Sequence, residues 1–357
     1  MDSRDSPNDL LCLVSPESDL PKGHFLADSG EPESITRQAV EKGQMRPSDV
    51  TRLVLLGGIW GASFLFIKVA LDDLTPLQIV ATRIGVGALL LVGLLYARGG
   101  RIPRDRELLR TLVVMAFISN IVPFGLITWG EQYITSSLAA ILNSTTPLFT
   151  LLIAAAVLPG EALRTVRLAG VVLGFAGVGV IVGFDSGGSL QGIIAVTIAS
   201  LSYAAGFVYA RRHLSGRDLP PLALPATQLL ISTVLTLPFA LVDVANTPPT
   251  LTLDGTASTL ALGLLGTGWA YVLYYRLIAD IGATSASFVT YLIPIFGIAL
   301  GAIVLNEELG VNTLAGATLV IAGIGLAELG NRRPVPSEAT ACEIEEGAKR
   351  SSETKAR

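Results

Sequence analysis

The stretch "LAGVVLGFAGVG" at 168–179 returns as "LAGATLVIAGIG" at 314–325, so that Gly170, Gly177 and Gly179 recur as Gly316, Gly323 and Gly325. The likeness runs backwards from there. "TPLFTLLIAAAVLPGE", ending at Glu161, corresponds to "IPIFGIALGAIVLNE", ending at Glu307, with Pro147 against Pro294 and one residue deleted. More loosely, "WGASFLFIK" from Trp60 aligns with "YAAGFVYAR" from Tyr203, and Pro76 to Arg83 has the spacing of Pro221 to Gln228. Two related halves make up the chain.

Composition says what the halves are. Of 357 residues, 51% are hydrophobic and only 15% charged, and the mean hydropathy is +0.60, which excludes an ordinary soluble enzyme. Apolar runs of roughly 18 to 24 residues are each long enough to cross a ~30 Å hydrocarbon core as a helix. Ten are present, at 52–71, 76–96, 108–129, 136–158, 166–184, 190–209, 219–242, 256–277, 283–305 and 312–329. Backbone amides in lipid must be satisfied within their own segment, and no run alternates as a barrel strand does. The predicted fold class is therefore an all-α integral membrane protein with ten transmembrane helices. The glycine stretches are the fifth and tenth of these, and an odd separation turns one copy over relative to the other. That predicts two inverted five-helix repeats, 52–184 and 190–330, an arrangement that suits a carrier because two related halves can open a central site to each side in turn. Glycines one helical turn apart, as in Gly170 and Gly174 or Gly297 and Gly301, also let helices pack closely.

Charge sets the orientation. Connections after the even-numbered helices carry Arg98, Arg101, Arg104, Arg106 and Arg110, then Arg164 and Arg167, then Arg211, Arg212 and Arg217, then Arg276, then Arg332 and Arg333. Those after the odd-numbered helices carry no basic residue and hold Asp72, Asp73, Glu131, Asp185, Asp243, Asp254, Glu307 and Glu308. The positive-inside rule then puts both termini in the cytoplasm. The tails 1–51 and 331–357, rich in Ser, Pro and acids without hydrophobic period, are predicted to be disordered. No secretory signal is visible, and Met45 is an alternative start to Met1. Cys12 and Cys342 lie in the tails and are not expected to pair, and His24 and His213 lack metal-ligand spacing. No metal, cofactor or nucleic acid is expected. The expected partners are a small-molecule substrate and the lipid bilayer of the cell (plasma or inner) membrane, with a homodimer left open.

In this order and in two copies, these motifs resemble the drug/metabolite transporter superfamily, specifically its ten-helix EamA-type branch. The resemblance covers about Leu53 to Leu329. It rests on Trp60, Gly61 and Phe64 followed by Lys68, on Pro76 and Arg83, on Pro147 and Pro294, on Glu161 and Glu307, and on Gly170, Gly177, Gly316 and Gly323. It implies export or exchange of small metabolites such as amino acids through a cavity between the halves. The halves depart from one another at Gln228, where the first has Arg83, and at Tyr203, where it has Trp60.

Polar groups forced into the membrane are the substrate-binding candidates, since a central Lys or Arg costs roughly 2.5–3.5 kcal/mol on insertion scales. Lys68, the only lysine of the core, either snorkels to the outer headgroups or faces the substrate. Arg83, deeper, either lines the cavity or braces helices. Asn120, Asn143, Gln228 and Tyr291 form a neutral set, joined by Trp60, Tyr203 and Trp269; Trp129 reads as an interface anchor. Pro147 and Pro294 are candidate hinges, because each frees a carbonyl one turn earlier. No acid lies mid-helix. With Lys68 and Arg83 as the buried charges, a zwitterionic or anionic substrate fits better than a cation, and Glu131 is the near-membrane carboxylate to test for coupling. Three functional classes come into question: a carrier of metabolites or drug-like compounds, a receptor or scaffold on the same fold, and a membrane enzyme using Asp72 and Asp73. The last lacks further acids at helical spacing.

Overall fold

Thr75, Asp105, Thr135 and Thr252 stand where a short polar connection gives way to an apolar run. Each side chain caps a helix by accepting from an amide three residues on, at Gln78 (3.3 Å), Leu108 (2.8 Å), Leu138 (3.2 Å) and Gly255 (3.1 Å). Gln78 returns the bond to the Thr75 amide, closing a capping box with Pro76 at the first helical position. The computed structural model describes residues 46–158, 164–183, 189–214 and 222–329. The tails, with Cys12, Cys342, His24 and Met45, lie outside the described residues, as do Glu161, Asp185 and Arg217.

Among the described residues there are ten apolar helices and no strand. They are α1 (Pro47–Ala70), α2 (Pro76–Ala97), α3 (Arg106–Gly130), α4 (Ser136–Val157), α5 (Thr165–Gly183), α6 (Leu190–Leu214), α7 (Ala223–Asn246), α8 (Leu253–Gly282), α9 (Val289–Val304) and α10 (Val311–Leu329). All but α9 are long enough on their own to cross a membrane. Leu89, Phe239 and Ile303 are 77%, 68% and 76% exposed, an outer surface suited to lipid rather than water.

Boundaries differ from expectation where local chemistry intervenes. Residues 47–51, expected in the tail, begin α1, because Pro47 fits a first turn and Asp49 accepts from the Arg46 amide at 3.2 Å. The ninth helix, expected from 283, starts at Val289. Gly282 takes φ +81°, open to glycine but not to most side chains, and a turn at Ser287–Phe288 interrupts the ladder. α4 breaks at Ser144–Thr145, so Pro147 opens its second segment rather than kinking a continuous helix. The carbonyl that Pro147 cannot bond, that of Asn143, accepts from the Thr146 hydroxyl at 2.7 Å. Pro294 sits inside α9.

Two π turns depart from the sequence expectation. α3 widens into a π turn at Phe117–Ile121, and α8 does so at Leu264–Trp269. The repeated glycines of α5 and α10 face each other: a Cβ on Gly170 would meet the Gly323 carbonyl at 2.6 Å, and one on Gly177 the Gly316 carbonyl at 2.6 Å. Backbones approach there in a way only glycine permits.

Candidate functional site

Side chains from α1, α2, α3, α4, α6, α8, α9 and α10 enclose a cavity of about 430 Å³. It begins at Ile67 and Ile127, one turn short of the ends of α1 and α3, and reaches Arg211, Ser287 and Glu328 at the opposite, arginine-rich end. The acidic end is laced shut. Lys68 Nζ donates to the carbonyls of Glu131 (2.6 Å) and Ile134 (3.0 Å). The Glu307 carboxylate accepts from the amides of Ser136 (2.7 Å) and Ser137 (3.0 Å) and from the Ser137 hydroxyl (2.5 Å). Nearby, Thr75 donates to Asp243 and Thr252 to Asp73.

Arg83 is the charged group of the cavity wall closest to this sealed end. It is 6% exposed. Its Nε donates to Thr267 Oγ1 at 3.0 Å, and its guanidinium carbon lies 3.9 Å from the centre of the Phe124 ring. Among the described residues no carboxylate pairs with it, and its two terminal nitrogens have no hydrogen-bond partner. One edge of the guanidinium thus ties α2 to α8, while its terminal nitrogens remain open. On another wall, Asn143 Oδ1 is buried without a partner, an acceptor aimed at no protein donor. Aromatic rings line the space between: Trp60 against Tyr274 at 5.4 Å, and Phe124 against Tyr203 at 6.3 Å.

Of the residues singled out from sequence, Trp60, Arg83, Asn143, Tyr203, Tyr291 and Pro147 line the cavity. Tyr291 also donates to the Ile324 carbonyl at 3.3 Å. The others stand elsewhere. Lys68 does not line the cavity; its ammonium is held by the carbonyls of Glu131 and Ile134, in the connection between α3 and α4. Asn120 and Gln228 satisfy each other: Gln228 Nε2 donates to Asn120 Oδ1 at 3.1 Å, and Asn120 Nδ2 to Ser232 Oγ at 3.1 Å. Trp269 is 44% exposed on the outside, and Trp129, 38% exposed, stacks edge-on with Tyr133 as an interface anchor would. Pro294 lies outside the cavity lining. Sequence reasoning passed over Ser119, Tyr271 and Tyr274, which do line it. The tyrosine-rich "YVLYYR" from Tyr271 was the available signal.

Lys68→Met is expected to lower the melting temperature in detergent, by a stability loss of about 1.5–3 kcal/mol for charge-assisted bonds, while the apparent KM for substrate stays unchanged. A raised KM with unchanged stability would move Lys68 into the site.

An all-helical bundle with an apolar exterior and an internal, largely apolar cavity that carries a few buried polar groups is the architecture of a multi-pass membrane transporter. Residues 51–183 and again 190–328 match the EamA-like transporter family, and the chain belongs to it. It is similar to the uncharacterized inner membrane transporter YedA of Escherichia coli strain K12, 27% identical over 76% of this chain and 88% of that protein. It is also similar to a probable terminal-alkyne amino-acid exporter of Streptantibioticus cattleyicolor, 28% identical over 80% of this chain and 95% of that one. A crystal structure of a protein 18% identical shares the fold, with a TM-score of 0.57 over 80% of this chain and 98% of its own.

Proposed function

We propose that this transporter moves small zwitterionic or anionic metabolites of the amino-acid class by alternating access of two inverted five-helix halves. The observation that carries the substrate class is the pairing, in one cavity, of a buried guanidinium with open terminal nitrogens and a buried amide oxygen with no partner. Arg83 suits a carboxylate and Asn143 Oδ1 an ammonium, with Trp60, Tyr203 and Tyr274 covering an apolar side chain. The relative described as a probable terminal-alkyne amino-acid exporter supports the same class.

The inverted pairing is supported by a crossed pattern of contacts. Arg83 on the second helix of one half reaches Thr267, fourth residue of the π turn in the other. Gln228, which aligns with Arg83, reaches Asn120, fourth residue of the π turn in the first. With the arginine-rich end cytoplasmic, this conformation is open inward and sealed outward.

Reconstituted protein should exchange labelled amino acids against an internal amino-acid pool, while amidated analogues, which lose the anionic end, exchange poorly. Exchange of the amides alone would point to drug-like cations, and no exchange of either would favour a receptor. Reporters fused after Arg104 should read as cytoplasmic and those within 247–254 as extracytoplasmic. The reverse result would overturn the orientation.

A further inference from the structure

We propose that Glu131 is a proton-binding site and that sealing the acidic end of the cavity takes up one proton there, an inference that rests on the alternating-access reading above. Glu131 follows the last residue of α3, one turn beyond Ile127 of the cavity wall. The residue is 0% exposed, and neither carboxylate oxygen has a hydrogen-bond partner. Glu307, by contrast, a second carboxylate among those at this end, accepts three hydrogen bonds. Lys68 is the cation at hand, yet its ammonium is engaged by the backbone carbonyls of Glu131 and Ile134.

An ionised carboxylate with no donor, out of water, is strongly disfavoured against the neutral acid, whose unmet O–H and C=O carry no net charge. The charged groups that act on Glu131 are Lys68 from α1, Glu307 from the connection after α9, and Arg83 from α2. α6 packs on the adjoining Gly130 through Gly192, Ala195 and Val196, none of them titratable. Burial drives the Glu131 carboxyl well above the ordinary carboxylate range; Lys68 opposes the rise, Glu307 adds to it and Arg83 opposes it. Opening this end would withdraw Lys68 from the carbonyls and admit water, returning the carboxyl to its ordinary acidity and releasing the proton to that side.

The sign follows from linkage. The sealed form binds the proton more tightly, so it is favoured at low pH. Its advantage falls up to tenfold per pH unit as pH rises from the open-form value to the sealed-form value, and is flat beyond both.

The test uses the full chain in nanodiscs, with Cys12→Ser and Cys342→Ser, carrying spin labels at Asp72→Cys and Gln132→Cys. Both positions are exposed, at the ends of α1 and α3 that Lys68 joins. Distances are measured by pulsed electron paramagnetic resonance between about pH 5 and pH 8. The short-distance fraction should grow as pH falls. Glu131→Gln, neutral at every pH, should hold the short distance throughout, and Glu131→Asp should still titrate, which also covers a glutamine variant that fails to fold. Two distances whose ratio ignores pH, or a titration that survives Glu131→Gln, would overturn the proton site and leave the carrier standing. One fixed distance at every pH, in the wild type and in Lys68→Met alike, would overturn both.

Discussion

Arg83→Gln is expected to weaken transport of carboxylate-bearing substrates by about tenfold to a hundredfold, the value of a charge-assisted hydrogen bond of about 1.5–3 kcal/mol, while the protein remains folded and inserted. Glutamine keeps a donor near Thr267 but loses both the charge and the open fork of the guanidinium. Amidated substrates, with no carboxylate to lose, should be affected far less. Thr267→Val separates this from bracing. It removes the bond to Nε and a bond from Thr267 Oγ1 to the Leu262 carbonyl at 2.9 Å, yet leaves the cation in place. That variant should lower the melting temperature and slow all substrates alike. If Arg83→Gln also slowed carboxylate and amide equally, the guanidinium would be a brace alone, and the assignment of an anionic or zwitterionic substrate would lose its main support.

How far this site was legible in the sequence depends on the range over which each signal acts. Helix number follows from run length, so ten helices were readable, and errors fell where a local group overrides hydropathy, at Pro47 and at Gly282. Arg83 stood out because a charge in an apolar run is costly wherever the run goes. Lys68 stood out equally, but the carbonyls that hold it belong to the connection between α3 and α4, and no periodicity in its own run reveals them. Glu131, in a connection at a helix end, stood out only as a near-membrane carboxylate; its full burial goes with a tight turn toward α4 and with Lys68 of α1 reaching its carbonyl, neither of which hydropathy records. The π turns have no compositional mark, since each adds a residue to a turn without changing its hydropathy. They were nonetheless within reach of the repeat. Thr267 follows Asn120 by the same interval as Pro294 follows Pro147, so extending that alignment into the third helices would have paired the two polar residues.

The same repeat yields the sharpest test of packing, because its glycines are chemically alike and structurally opposite. Gly323→Ala places a Cβ 2.4 Å from the Gly174 amide nitrogen and 2.6 Å from the Gly170 carbonyl oxygen. Both contacts are backbone, so no side chain can swing aside, and relief requires α5 and α10 to part along their length. Overpacking of this kind costs about 1–3 kcal/mol and occasionally more, and a larger side chain such as leucine would force a wider separation. Two residues on, Gly325 has nothing within 4 Å of where its Cβ would lie. Gly325→Ala meets no clash, and in a helix it gains roughly 0.5–1 kcal/mol through lost backbone freedom in the unfolded chain. Gly323→Ala should therefore lower the melting temperature in detergent, with Gly323→Leu failing to accumulate in the membrane, and Gly325→Ala should leave it level or raise it. Gly177 and Gly179 should repeat the contrast in the first half, where the Gly177 Cβ would meet the Gly316 carbonyl at 2.6 Å and the Gly179 Cβ nothing. Equal losses at the two positions of either pair would mean that α5 and α10 do not meet through this face, and that the doubled stretch serves some purpose other than close backbone packing.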